Sequence, residues 1–163
     1  MFNPVLDGTD NMSQWGSNSH SISFQDNNVS GRNYQFDTVW DNTKDWALLF
    51  YINAQFNTGI EIVEANQTVQ DKKCIQILED NHTFVNYKPT EPTTHSQNYG
   101  KSSQSDWVRV YVVKQSNQYT IYLNDTLFDS FSKTDDWENV RLVLYSWHST
   151  NTLKLKDISV NPL

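Results

Sequence analysis

Apolar and polar residues alternate one by one along much of this chain, and almost nowhere at a helical interval. The clearest case runs from Trp107 to Phe131. Val108, Val110 and Val112 alternate with Arg109 and Tyr111; Lys114 to Gln118 form a polar break; then Tyr119, Ile121 and Leu123 alternate with Thr120, Tyr122 and Asn124. A period of two sends successive side chains to opposite faces of a sheet. Two such runs across a short polar connection predict an antiparallel hairpin. Asn124-Asp125 then turns the chain into a third run, 127–131. Val108, Val110, Val112, Ile121 and Leu123 are expected to face the core.

The same pattern recurs on both sides of this stretch. Residues 1–19 read as an entry strand and loop, 20–24 as a short strand, and 32–37 as a strand leading to Trp40. The strongest single strand is 46–56, with Trp46, Leu48, Phe50 and Ile52 on one face and Leu49, Tyr51, Asn53 and Gln55 on the other. A return strand, 59–63, turns Ile60 and Ile62 inward. Strands follow at 73–79 and 82–88, and then a long aperiodic loop, 89–106, rich in Ser, Thr and Gln. Long loops within a compact domain are usually functional or mobile. Beyond the hairpin, 139–147 places Leu142 and Leu144 on one face and Arg141, Val143, Tyr145 and Trp147 on the other. In the closing run, 153–160, the phase of Leu153 and Leu155 slips by one before Ile158 and Val160, as a β-bulge at Lys156-Asp157 would make it do. About eleven short strands with no internal repeat predict an all-β antiparallel sandwich or barrel. One domain, 1–163, is expected at this length.

Composition supports this and narrows the function. Aromatics reach 13% and charged residues only 19%, amid abundant Asn, Ser, Thr and Gln, which suits strands joined by polar turns. The formal net charge of −7 argues against a nucleic-acid partner, which calls for a basic face. It also disfavours a strongly anionic ligand unless Arg and Lys cluster locally. No run reaches membrane-spanning length, so no membrane insertion is expected, and the start, Met1-Phe2-Asn3-Pro4, lacks the basic flank and apolar stretch of a signal peptide. Cys74 is the single cysteine. It lies in an apolar strand pattern and reads as an inert thiol, which leaves no intrachain disulfide and no thiolate zinc cluster.

Trp107 opens a Val-rich strand, a later strand ends in Tyr122-Leu123-Asn124, Val140 to Leu144 form another, and Ile158-Ser159-Val160 closes the chain. This order resembles the C-terminal half of concanavalin A-like (laminin-G-like) jelly rolls, and Asn57-Thr58-Gly59-Ile60 resembles a turn common earlier in them. Asp125 departs from the pattern, standing where a Gly would follow Asn124. The resemblance implies a two-sheet jelly-roll sandwich. Within that group the chain looks most like carbohydrate-binding modules carried by tail and baseplate proteins of phages of Gram-positive bacteria. That implies a cell-surface polysaccharide or oligosaccharide as ligand, a tail or baseplate protein as parent, and an extracellular setting on the virion. In such jelly rolls the first and last strands lie side by side, which would make Asn3-Pro4 and Asn161-Pro162 neighbours, as insertion into a host protein requires.

The chemistry follows from the residues left outside the core. A sugar offers apolar C–H faces and a ring of hydroxyls, so its site wants exposed aromatics beside polar groups. Tyr51 and Asn53, Arg109 and Tyr111, and Tyr145 and Trp147 supply that mixture on three strands. If those strands share a concave sheet they form one groove, with Trp40 and His148 at its rim. No catalytic residues are assigned. The glucanases of the resembled fold place acids at alternate positions of one strand, whereas Glu61 and Glu64 are three apart and read as two solvent-facing glutamates. No nucleophile motif or phosphate loop occurs. No cofactor is expected beyond a structural calcium ion that paired termini could hold between Asp7 and Asp157. A glycoside hydrolase or lyase of the same fold and a protein–protein interaction module stand as alternatives.

Overall fold

Strands form where every second side chain is apolar, because one face can then leave water while the backbone pairs with its neighbours. A computed structural model describes residues 9–10, 15–18, 21–25, 31–54, 58–66, 74–80, 83–88, 107–132, 137–146 and 152–163. Among them are thirteen strands and no helix: β1 (Thr9–Asp10), β2 (Trp15–Asn18), β3 (Ser21–Gln25), β4 (Gly31–Asp41), β5 (Trp46–Ala54), β6 (Thr58–Glu64), β7 (Cys74–Asp80), β8 (Thr83–Lys88), β9 (Val108–Gln115), β10 (Gln118–Leu123), β11 (Thr126–Ser132), β12 (Asn139–Ser146) and β13 (Thr152–Pro162). They make two antiparallel sheets. The six-stranded sheet runs β1-β4-β12-β6-β7-β8, and the seven-stranded sheet runs β11-β10-β9-β5-β13-β3-β2.

The core lies between the sheets. The seven-stranded sheet contributes Trp46, Leu48, Phe50 and Ile52 from β5, Val108, Val110 and Val112 from β9, Tyr119, Ile121 and Leu123 from β10, and Leu155 and Ile158 from β13. Phe36, Ile60, Ile62, Ile75, Ile77, Val140, Leu142 and Leu144 come from the six-stranded sheet. The inward residues read from the alternation of 108–123, 46–52 and 60–62 are all buried. The phase slip in the last strand is a bulge: Lys156 pairs with Tyr51 but Ser159 with Leu49, and Asp157 takes a φ of 54°. The extra residue lets both Leu155 and Ile158 reach the core.

Several expectations are corrected. The polar break after β9 shrinks to two residues, Ser116-Asn117, because Gln115 pairs directly with Gln118. Ser116 adopts a φ of 53°, and its N–H is held by the Asp45 carboxylate at 2.7 Å. Lys114 is therefore a strand residue, only 5% exposed, and its ammonium donates to the Lys44 carbonyl at 3.0 Å. Burial pushes its pKa below the ordinary value, with Asp45 and Asp41 opposing that. The last strand lies between β3 and β5, while the first described strand, β1, pairs with β4 in the opposite sheet. The first and last described strands are thus not neighbours, and Asn3-Pro4 lies outside the described residues.

Candidate functional site

The sheet face turned away from the core is where strand residues can meet a ligand. On the seven-stranded sheet the pairing of β13, β5, β9 and β10 sets this face out in rows. Lys156 lies opposite Tyr51, and Tyr51 opposite Arg109. One row along, Ser159 faces Leu49, Leu49 faces Tyr111, Tyr111 faces Tyr122, and Tyr122 faces Leu127 of β11. Next come Ala47, Val113, Thr120 and Ser130. Adjacent strands stand about 4.8 Å apart, so a row of four spans roughly 14 Å, the scale of a short oligosaccharide.

Turn chemistry fixes the edge of this floor. Asn124 and Asp125 have φ of 49° and 66°, as a tight two-residue hairpin turn demands of both central residues. Asn124 anchors the turn to β9: its side-chain oxygen accepts the Arg109 N–H at 2.9 Å, and its own N–H donates to the Arg109 carbonyl at 2.9 Å. Asp125 is thereby brought to the Arg109 guanidinium, with which it forms an ion pair. Arg109, Tyr111, Val113, Tyr122 and Asp125 line an open depression of about 410 Å³.

The aromatic groups of the floor are tied to cations. The Arg109 guanidinium lies 5.4 Å from the Tyr111 ring centroid, and the Tyr111 and Tyr122 rings are 6.2 Å apart at 35°. The Lys156 ammonium sits 4.2 Å from the Trp107 ring centroid and 5.5 Å from that of Tyr51. Such separations lie within the range at which a ring face attracts a cation. Tyr51, Trp107, Arg109, Tyr111, Tyr122 and Lys156 are all half-buried. This combination of apolar ring surface with hydrogen-bond donors and one carboxylate can cover a sugar face and grip its substituents.

Of the residues singled out in the sequence, Tyr51, Asn53, Arg109 and Tyr111 fall on neighbouring strands of this sheet, with Asn53 buried at the end of the floor. Tyr145 belongs to β12 of the other sheet, opposite Gly59, so it does not join them. Trp40 is not a rim residue either. It is 9% exposed and packs edge-on against Trp46 in the core, centroids 5.4 Å apart. Trp147 and His148 lie outside the described residues, as does Asp7. Asp157 is exposed and occupies the bulge of β13, and the described residues hold no group of three or more potential metal ligands. Four contributors escaped the sequence reading: Trp107, Tyr122, Asp125 and Lys156. A signal for Tyr122 was present, since it alternates with Ile121 and Leu123. Placing it opposite Tyr111 required the turn to be two residues long, which a five-residue polar break concealed.

The other sheet's outward face differs. Glu61, expected to face solvent, is only 1% exposed, and Val63 and Val143 beside it form a small apolar cluster separate from the main core. Val143 lies opposite Glu61, and half-buried Arg141 opposite Val63.

No protein-family model matches the chain, and no curated protein matches it in sequence. Solved structures match it closely in fold. A functionally unknown protein from Saccharomyces cerevisiae superposes with a TM-score of 0.71 at 7% identity, covering 99% of each chain. The carbohydrate-binding module CBM66 from Bacillus subtilis gives 0.67 at 10% identity over 95% of each. An alginate lyase from Corynebacterium sp. gives 0.64 at 10% identity, over 91% of this chain and 81% of the other. At these identities the likeness is one of fold, and the fold is the concanavalin-like jelly-roll sandwich. Binding modules and polysaccharide-cleaving enzymes are both built on it.

Proposed function

We propose that the chain is a non-catalytic carbohydrate-binding module, and that the outward face of the seven-stranded sheet is where it holds its ligand. The observation that carries this is the row of Tyr51 and Arg109 beside that of Tyr111 and Tyr122, on strands that pair directly. Aromatic faces beside fixed polar groups suit a saccharide's alternating C–H and hydroxyl surfaces. The likeness in fold to CBM66 supports the same reading. The ligand is a cell-surface or cell-wall glycan and the setting extracellular. The sequence resemblance to tail and baseplate modules supports a finer version, in which the module serves phage adsorption to a bacterial host as part of a tail protein on the virion.

The test is saturable binding to a panel of soluble polysaccharides and to whole bacterial cells, followed by affinity electrophoresis with Tyr51→Ala and Tyr111→Ala. Each variant is expected to weaken binding about tenfold, as loss of an aromatic contact of about 1–3 kcal/mol does. Unchanged binding by both variants would move the site elsewhere on the molecule. Adsorption of a phage lacking the domain tests the finer version.

Polysaccharide cleavage is a second reading, favoured by Glu61, a buried carboxylate on the outward side of β6 with the Arg-bearing strand beside it. The alginate lyase likeness in fold supports it. Release of reducing ends or unsaturated sugars from the same panel, abolished by Glu61→Gln, would replace the binding reading with the enzymatic one.

A further inference from the structure

The same floor carries information about the charge of its ligand. The chain as a whole is acidic, at −7, yet the two groups that flank Tyr51 across the strands are cations, Lys156 on β13 and Arg109 on β9. Their backbones are two strands apart, about 10 Å. The Lys156 ammonium makes no hydrogen bond or ion pair to any described residue; the rings of Trp107 and Tyr51 hold it in place. A ring face attracts the positive charge but cannot satisfy three N–H donors. Those donors are left to water in the free protein and are available to an acceptor on a ligand. Arg109 is likewise laid along Tyr111, and its carboxylate partner among the described residues, Asp125, is 79% exposed. An exposed pair of this kind is worth little and is readily exchanged.

The rings decide between ligand classes. A neutral sugar stacks on open aromatic faces, but here Lys156 overlies those of Trp107 and Tyr51, and Arg109 that of Tyr111. To stack on the faces so covered, a neutral sugar has to displace the cations. A sugar bearing anionic groups meets them where they already sit, with charge-assisted hydrogen bonds about twice as strong as neutral ones.

We propose that this face binds an anionic saccharide, one carrying carboxylate or phosphate groups, and that Lys156 and Arg109 are its anion-binding groups. The proposal rests on the sugar-binding reading above and adds the ligand's charge. Asp125 then competes with the ligand for Arg109.

The experiment compares four polymers on the full chain at low salt: polygalacturonate, its carboxyl-reduced neutral counterpart, a poly(glycerol phosphate) and a neutral glucan. Binding to polygalacturonate, to poly(glycerol phosphate) or to both is expected, with which of them binds separating carboxylate from phosphate. The reduced polymer should bind at least about tenfold more weakly than the anionic polymer, and affinity should fall as salt is added. Lys156→Met keeps the aliphatic stem over the rings and should weaken anionic binding about tenfold. Asp125→Asn suits the same turn and should tighten it, whereas a neutral sugar that hydrogen-bonds Asp125 would bind that variant more weakly. Equal binding to the charged and reduced polymers, or weaker binding by Asp125→Asn, overturns the anionic assignment and leaves the sugar-binding reading standing. Failure of all four polymers to bind overturns both.

Discussion

Asn42 and Trp46 are joined side chain to side chain: the Trp46 indole N–H donates to Asn42 Oδ1 at 3.0 Å in the buried end of the sandwich. The Asn42 amide in turn donates to the Trp137 carbonyl at 3.2 Å and reaches the Tyr119 hydroxyl at 3.3 Å. One amide thereby serves β5, β10 and the segment entering β12.

Replacing it should cost more than a surface residue would. Asn42→Ala strips a partner from each of three groups, and a buried polar group left unmet costs about 1–3 kcal/mol. Destabilisation of about 2–4 kcal/mol is expected in urea unfolding. A change below about 0.5 kcal/mol, the level of an ordinary surface substitution, would show that the rings hold their places without the amide.

Lys114 should leave a signature at alkaline pH. Burial depresses its pKa below 10.5, so between the depressed value and 10.5 the unfolded chain binds more protons than the folded one. Stability contributed by this group therefore rises as the pH climbs through that window. In Lys114→Met the rise should vanish, so that any advantage of the variant at neutral pH narrows on the alkaline side. Parallel stability–pH curves for the two proteins would contradict the assignment.

The turn after β10 depends on Asn124 twice, for its positive φ and for its bond to the Arg109 amide. Asn124→Ala should destabilise by about 1–3 kcal/mol, combining a left-handed alanine with a lost hydrogen bond. Asn124→Gly keeps the backbone and loses only the side-chain bond, so its cost should be smaller. A thermal melt of the three proteins ranks them.

Ligand binding should follow the sheet and not the aromatic count. Tyr111→Ala on β9 should weaken glycan binding about tenfold, while Tyr145→Ala on β12 of the other sheet should leave it unchanged. The reverse result would place the ligand on the six-stranded sheet.

Most of the fold was legible because burial imposes strict alternation on half-exposed strands. Val108, Val110, Val112, Ile121 and Leu123 could be assigned inward by parity alone, and even the slip at Asp157 announced itself. Parity says nothing about which strands become neighbours. Tyr145 shows the limit: its alternation matches that of Arg109 and Tyr111, but β12 pairs with β4 and β6 in the six-stranded sheet, while β9 belongs to the other. Register is equally silent until the turn length is known, which is why Tyr122 was passed over. Lys114 and Glu61 were misread for another reason. Their side chains are charged, and hydropathy assigns charge to solvent, whereas the fold buries both.

The bulge at Asp157 makes the closing strand two half-strands of opposite phase. The first half presents Lys156 on the outward face, and the second sends Ile158 inward to seal the core. Deleting Asp157 would remove the extra residue and restore strict alternation, with Leu155 and Ile158 still inward and Lys156 still outward, so the bulge can be lost without turning either residue round. Away from the bulge, a one-residue insertion or deletion sends the side chains beyond it to the opposite face, so changes of two residues are far less disruptive there than changes of one.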